Sequence, residues 1–471
     1  MKSSKVMAAL VTLGLAAAVA TPAMALENQV SGAFTSFFDL SNYSAVGNGG
    51  EAASTNATGL AKNAKTENYF VQRVNLNYTA KANEDVKLVT RFELDYTFYG
   101  NNSYTNQRNG GGALGADGIN LETKNLYLDL NVGKGLNAKI GMQGNTDSFK
   151  GIIFDADMAG VLLTHEYSNA SASVGFFRLN DSNSLALGKH TYDILALDGK
   201  YSVNKNIKVG AAYYYMNDTL ENGTSEVTAA TTTTTTPSFS YVVVDNLGVP
   251  RTITVPAVTI TTPAVTTPKY NKTKVHTLGL NAEGTVGPIT VSGFALTQFG
   301  DISNTKKAKG YAFNIGAKMP VANGTARTEF LYTAGGNNSL HVIAPTEGGG
   351  FYDNEMVLLG RDKNAKTLDT AIAFDANNID QGLIFGSVGY DYPITAKLSG
   401  SVNAGFAAVT KSTGANKSDY LGTEFNCEAN YKLMPTVTLG ARAGYVVLGD
   451  YFKGNNFDNP YDVKLIAKFA F

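Results

Sequence analysis

The last segment of the chain alternates between two kinds of side chain. From Tyr461 to Phe471 every second residue is apolar or aromatic, and Asp462, Lys464 and Lys468 stand between them. Successive side chains of a β-strand point to opposite faces. Such a strand has one face suited to lipid and one suited to water, which is the pattern of a strand in the wall of a membrane barrel.

The same alternation recurs in pairs of segments that a short turn separates. Residues 70–81 and 86–99 alternate in this way, and only residues 82–85 lie between them, which is typical of a β-hairpin. Seven further tight turns are predicted at residues 133–135, 168–170, 204–206, 286–288, 320–324, 392–394 and 434–436. With a first strand at 29–41 and the last strand, these hairpins predict about 18 strands, within bounds of about 16 and 20.

Long polar stretches separate the hairpins. They cover residues 43–68, 100–122, 218–273 and 335–381. Short turns at one rim and long loops at the other are the two ends of a transmembrane antiparallel β-barrel. We therefore predict an all-β barrel over residues 26–471, with short periplasmic turns and long external loops.

The stretch 218–273 is unusual because it contains six consecutive threonines, Thr231–Thr236. Two interpretations remain open for it: an external loop with its own hairpin, or two more spanning strands. The loop is favoured by Pro250, Pro256, Pro263 and Pro268, since proline cannot donate a hydrogen bond to a strand ladder.

The start of the chain has the features of a secretory signal peptide. Lys2 and Lys5 precede an apolar run over 6–20, and Ala23 and Ala25 frame a small-x-small cleavage site. We expect residues 1–25 to be removed during export through the periplasm to the outer membrane of a Gram-negative bacterium.

Composition excludes several other classes of protein. The mean hydropathy of −0.10 and the lack of a second long apolar stretch argue against membrane-spanning helices. The formal charge of −1 becomes −1 − 2 = −3 without Lys2 and Lys5, which gives no general attraction to nucleic acid. A single cysteine, Cys427, rules out an internal disulfide and haem attachment through paired cysteines.

The face opposite the apolar one carries many charges. An Arg or Lys side chain that faces lipid at mid-membrane costs about 2–4 kcal/mol, so these residues are expected to line a water-filled lumen. The predicted pore-lining residues are Arg73, Arg91, Glu93, Asp95, Lys139, Arg327, Glu329, Arg442 and Lys464.

The basic residues of this set cluster near the closure of the barrel. Arg442 and Lys464 lie on the last strands and Arg73 and Arg91 on the second and third, which closure makes neighbours. They could form a ladder of cations that steers anions and orients solutes. They could equally be ordinary wall charges paired with Glu93 and other carboxylates.

Residues 144–160 differ from the polar loops because they mix apolar residues with charges. An apolar loop has little reason to stand in water, so this third external loop is predicted to fold into the lumen and narrow it. Its predicted constriction residues are Asp147, Lys150, Asp155 and Asp157. The Asp155-x-Asp157 pattern lacks the further ligands of a calcium loop, so we predict no metal site.

The chain resembles the Gram-negative outer-membrane porins in three features: the signal peptide, the alternation of short turns with long loops, and the terminal aromatic residue. The resemblance implies a third loop that faces a basic wall and a terminal Phe471 that the barrel-assembly machinery reads. Family members are often homotrimers. The Thr-rich insertion and the absence of tryptophan depart from the family.

The sequence therefore predicts a porin in contact with outer-membrane lipids, which passes small hydrophilic solutes and ions by passive diffusion without a cofactor or catalysis. A basic wall facing Asp155 and Asp157 would create a transverse field that favours polar solutes. Two alternatives are a scaffold barrel around an electron-transfer cytochrome and an adhesin. An outer-membrane hydrolase is less favoured, since no recognisable motif pairs a serine with a histidine.

Overall fold

The computed structural model describes most of the chain. The described residues are 26–43, 59–96, 98–101, 110–112, 121–181, 188, 190–219, 226–228, 231–236, 238–244, 249–256, 258–262, 265–267, 273–343, 350, 352–363, 371–373, 375–412 and 418–471. The predicted signal peptide, 1–25, lies outside them.

Eighteen antiparallel strands form a closed barrel, as the alternation predicts. We number them β1 to β18 in chain order: Glu27–Ser41, Glu67–Asn83, Val86–Tyr96, Leu121–Gly133, Leu136–Thr146, Asp155–Glu166, Ala170–Asp181, Thr191–Asn204, Ile207–Asp218, Thr273–Val286, Ile289–Asp301, Tyr311–Val321, Gly324–Thr333, Ile384–Pro393, Leu398–Ala408, Tyr420–Met434, Val437–Leu448 and Tyr461–Ala470. Short 3-10 helices lie at Gly336–Asn338 and Asp450–Phe452.

The first and last strands close the barrel. β1 pairs with β18 from Ala33 opposite Ala470 to Ser41 opposite Asp462. One residue further, the Gly32 N–H donates to the Phe471 carbonyl oxygen at 2.9 Å, and the Phe471 N–H returns a bond of 3.1 Å.

All eight predicted tight turns connect neighbouring strands at one rim, which we call the turn end of the barrel. The turn at 133–135 shows why glycine and a polar residue stand there. Gly133, Lys134 and Gly135 have φ values of 90°, 53° and 81°, a region that glycine enters at little cost. The opposite rim, which carries the longer connections, is the loop end.

The two faces of the wall differ as the alternation predicts. On β10, Leu278 and Leu280 point outward and are 49% and 64% exposed, whereas Thr277 points inward and is buried. Aromatic side chains also gather on the outer face, where the ring centroids of Phe313 and Tyr332 are 5.2 Å apart. The outer surface is therefore apolar. Among the described residues, no helix is long and apolar enough to cross a membrane.

The Thr-rich stretch forms a hairpin separate from the barrel sheet. Three paired segments, Glu226–Thr228 with Val265–Thr267, Thr231–Thr236 with Val258–Thr262 and Phe239–Val244 with Pro250–Val255, follow one another along it. In the described parts of 218–273, no strand joins the barrel sheet beyond the ends of β9 and β10. The hairpin interpretation fits this pairing, and the alternative of two added spanning strands does not.

Candidate constriction inside the barrel

The third external connection, L3, covers residues 147–154. The predicted bounds of 144–160 were too wide, because β5 continues to Thr146 and β6 already begins at Asp155. Asp155 and Asp157 therefore lie on a strand rather than on a loop. The ladder between the two strands continues to the pair Thr146 and Asp155, which leaves only eight residues for the turn.

L3 lies against the inner wall. The Phe149 ring sits at Gly279 of β10, with centroid distances of 5.8 Å to Tyr214 and 5.6 Å to Phe294. The Ser148 N–H donates to the Tyr214 hydroxyl at 2.8 Å. At the far side of the loop, Lys150 Nζ lies 2.6 Å from Glu329 Oε1 on β13. These partners are inward-facing, so L3 occupies part of the lumen.

One buried carboxylate organises L3. Asp147 accepts backbone N–H bonds from Phe149 at 2.6 Å, Gly151 at 3.1 Å, Ile153 at 2.7 Å and Phe154 at 2.8 Å. Burial raises the pKa of Asp147 to about 6, against the lowering effect of these bonds. The bonds satisfy donors that would otherwise be stranded inside the protein.

A second loop also enters the lumen. L7 connects β13 to β14 over residues 334–383, and the sequence predicted it as an external loop. Glu424, which points inward from β16 and is completely buried, accepts three successive L7 N–H groups. These bonds come from Val357 at 2.6 Å, Leu358 at 3.0 Å and Leu359 at 2.6 Å. The apolar run 356–359 was the signal in the sequence that this loop is not solvated.

Ion pairs also connect L7 to the wall. Arg442 of β17 pairs with Asp362 of L7 and with Glu428 of β16. Arg327 of β13 lies 3.0 Å from Glu355 of L7. Arg327 and Arg442 were predicted as pore-lining residues, and in the structure their ion pairs bind L7 to the wall.

Glu329 connects both loops with the wall. Its Oε1 accepts from Lys150 of L3 at 2.6 Å, from the Tyr352 hydroxyl of L7 at 2.8 Å and from Asn314 Nδ2 of β12 at 2.9 Å. The loops also touch directly, because the Ile343 N–H donates to the Ile153 carbonyl oxygen at 3.0 Å. L3 and L7 therefore form one unit.

A dry cluster fills the space between this unit and the wall. Phe149, Ile152 and Ile153 of L3 and Met356 and Leu359 of L7 are completely buried. They pack with inward residues of the surrounding strands, including Ile194, Met216, Val275 and Phe385. The loops therefore narrow the lumen from the side of β8 to β17.

The charged wall near the barrel closure is rich in pairs. Glu93 is buried and lies 3.4 Å from Arg73 and 3.6 Å from Arg91. Lys124, which the sequence analysis did not single out, lies 3.8 Å from Glu93 and 3.5 Å from Asp157. Asp157 and Glu93 thus share the ammonium group of Lys124, and Asp157 is itself part of the wall because it lies on β6.

The remaining predicted residues of this wall also have neighbours. Lys464 lies 3.2 Å from Asp39 and 2.8 Å from Asp462. Lys139 Nζ lies 5.5 Å from the centroid of the Tyr127 ring, within the range of a cation–π contact. Asp95 lies on β3, opposite Arg73, and its side chain is outside the described residues. The wall is therefore an array of paired charges.

No family model matches the sequence, and no curated protein matches it. Among the described residues, no group of three or more side chains could hold a metal ion.

Solved structures do resemble the fold. OccAB1 and OccAB4 of Acinetobacter baumannii both give a TM-score of 0.54, at 10% and 12% identity. Each alignment covers at least 94% of this chain and 96% of the other.

A third similar structure is OpdK of Pseudomonas aeruginosa with vanillate. Its TM-score is 0.52 at 10% identity, with 94% of this chain and 98% of that chain covered. These proteins are outer-membrane porins. The chain therefore has the fold of an 18-stranded outer-membrane porin.

Proposed function

We propose that the protein is a porin of the Gram-negative outer membrane, through which small hydrophilic solutes and ions diffuse passively. One observation carries the proposal: a closed barrel has an apolar outer face, a charged inner face and two loops folded into its lumen. An apolar outer face suits lipid, and charges on the inner face suit water. The porins with the same fold support this function.

We place the water-filled path beside the loops, along the wall that they leave uncovered. L3 and L7 pack on the side of β8 to β17, and the wall of β18 and β1 to β5 carries Arg73, Arg91, Lys139 and their partners. Pore radius and the field of these residues would set the flow. Because the cations are paired with carboxylates, we expect weak ion selectivity.

The proposal includes lipids and the barrel-assembly machinery as partners. Lipids would cover the apolar outer face, and Phe471 would act as an assembly signal. The porin fold is compatible with a homotrimer, which chemical cross-linking of native membranes tests by the size of the product. The porins with this fold are not enzymes, and we expect no catalysis and no cofactor here.

A planar lipid bilayer tests the proposal. The purified chain is inserted, and single-channel current is recorded under a salt gradient. We expect discrete open steps and a small reversal potential. A folded, heat-modifiable barrel that never conducts would contradict the proposal and favour a scaffold role.

A further inference from the structure

The outer face of the barrel carries cations at its loop end, and the first of them stands on β10. Lys274 is exposed and alternates with Thr273 and Val275, which are both buried. Because successive side chains of a strand point to opposite faces, Lys274 points outward, on the same face as His276 and Leu278. An ammonium group thus lies at the edge of the surface that faces lipid.

Two further cations lie on the segment that leads into β12. Ala308 and Gly310 of this segment are buried. Lys307 and Lys309 alternate with them and are exposed, and 68% of the Lys307 side chain is accessible. Both lysines therefore point outward, and Lys309 is in line with Tyr311, the first residue of β12.

These three lysines carry more charge than their surroundings neutralise. Asp301 at the end of β11 stands opposite Lys274 in one ladder and opposite Lys307 in the other, and its carboxylate pairs with Lys307. Within the described part of the chain, Lys274 and Lys309 form no ion pair, so the group has a charge of 3 − 1 = +2. Neighbouring strands are about 4.8 Å apart, so Lys274 and Lys307 stand about 10 Å apart on either side of β11. Two lysine side chains can close that distance around one phosphate group.

Aromatic rings beside the cations mark the level of the membrane interface. The His276 ring stacks between Tyr215 and Phe299, with centroid distances of 4.7 Å and 4.9 Å. The Tyr213 hydroxyl lies 2.7 Å from His276 Nδ1. Aromatic girdles of such barrels lie at the interfaces between membrane and water, and the longer connections are extracellular. The lysines, which stand on the loop-end side of these rings, are therefore level with the headgroups of the outer leaflet.

Apolar side chains continue both strands towards the middle of the membrane. On β10 these are Leu278 and Leu280, which are 49% and 64% exposed, and on β12 they are Phe313 and Ile315, at 43% and 54%. Each strand thus presents a cation, then an aromatic ring, then hydrocarbon. This is the order of complementary groups that a lipid with a phosphate headgroup and acyl chains requires.

We propose that Lys274, Lys307 and Lys309 bind the phosphate groups of a phosphorylated glycolipid in the outer leaflet, with its acyl chains along the apolar parts of β10 and β12. Lysine binds phosphate as a point charge with three N–H donors, and clusters of cations at the headgroup level recognise anionic lipids. The inference goes beyond the passage of solutes. It depends on the position of the barrel in the outer membrane and not on conduction.

Native mass spectrometry of the purified barrel in detergent tests this inference, with diphosphoryl lipid A as the probe. We expect the barrel to retain lipid A, and to bind the same lipid without its phosphates at least about tenfold more weakly. Lys274→Gln, Lys307→Gln and Lys309→Gln should each weaken the binding of lipid A about fivefold, and all three together about a hundredfold, as expected for cations beside an anionic membrane surface. Heat-modifiable migration confirms that each variant is a folded barrel.

The matched control removes three lysines from the turn end, where Lys134, Lys205 and Lys397 are exposed. Their joint replacement by Gln changes the net charge equally and should leave the affinity for lipid A unchanged. Equal losses in the two triple variants, or no loss in the first, would overturn the inference. Displacement of lipid A by inorganic phosphate at an equal concentration would also overturn it, because the lysines would then be a site for free anions. The porin proposal fails or stands separately, since the bilayer recording measures conduction and this experiment does not.

Discussion

The packing of L3 against the wall depends on one glycine, Gly279 of β10. A Cβ atom added at Gly279 would lie 2.5 Å and 2.7 Å from two ring carbons of Phe149 and 2.8 Å from the Ala295 carbonyl oxygen. Ordinary contacts between carbon atoms are about 3.5–4.0 Å, so the ring must move by about 1 Å. We therefore predict that Gly279→Ala loosens L3.

The size of the effect follows from two opposing terms. Burying a phenylalanine side chain stabilises by about 1.5–3 kcal/mol, and overpacking costs about 1–3 kcal/mol. The substitution should therefore cancel much of what Phe149 contributes to docking. A cost of about 1–3 kcal/mol raises the fraction of undocked L3 by about 5–150-fold.

Single-channel recording measures this change. We expect Gly279→Ala to show larger open current or frequent excursions to a more conducting level. Gly284→Ala is the matched control on the same strand, since a Cβ at Gly284 meets nothing within 4 Å. Phe149→Ala should have a similar effect. Adding Gly279→Ala to it should change the current little, because the ring is gone and only the contact with the Ala295 carbonyl oxygen within the wall remains. If Gly279→Ala folds into a heat-modifiable barrel with the current and noise of the unchanged protein, the packing of L3 in the lumen is refuted.

Three further outcomes are expected. Glu424→Gln should release L7 from the wall, because a neutral amide replaces a carboxylate that accepts three backbone N–H bonds of about 1.5–3 kcal/mol each. Limited proteolysis should then cut L7 faster. An unchanged digest would show that Glu424 does not hold L7. Asp147 keeps its proton up to a pH of about 6 when L3 is docked, and only up to about 3.8 when its side chain is exposed. L3 should therefore dock more firmly, and the pore should conduct less, as the pH falls from 7 to 5. Asp147→Asn should flatten this pH dependence. Arg91→Gln should shift the reversal potential towards cation selectivity. The shift should be larger than with Arg73→Gln, because the Arg91 side chain is 43% exposed and that of Arg73 only 20%. Equal or absent shifts would argue against an ion path along this wall.

The wall of the barrel was predictable because its rule is local. Alternation at 461–471 and the tight turns depend on neighbouring residues alone, and the structure confirms both. The bounds of L3 were wrong by several residues because the continued ladder between β5 and β6 is a long-range pairing. The position of L7 inside the lumen was not predicted for the same reason, since Glu424 lies 65 residues or more after the N–H groups from which it accepts hydrogen bonds.

The inner face nevertheless contains information about where the loops lie. Along β9 the inward side chains change from Lys208 at the turn end to Ala212, Tyr214 and Met216 towards the loop end, and the last three are buried. An apolar side chain that points away from lipid needs another apolar partner, because water in the lumen would leave its surface exposed. In a barrel with a charged inner face, apolar inward positions therefore indicate where a loop must cover the wall. Applied to β9, this rule predicts the seat of L3, and it connects the sequence of a strand with the shape of the pore.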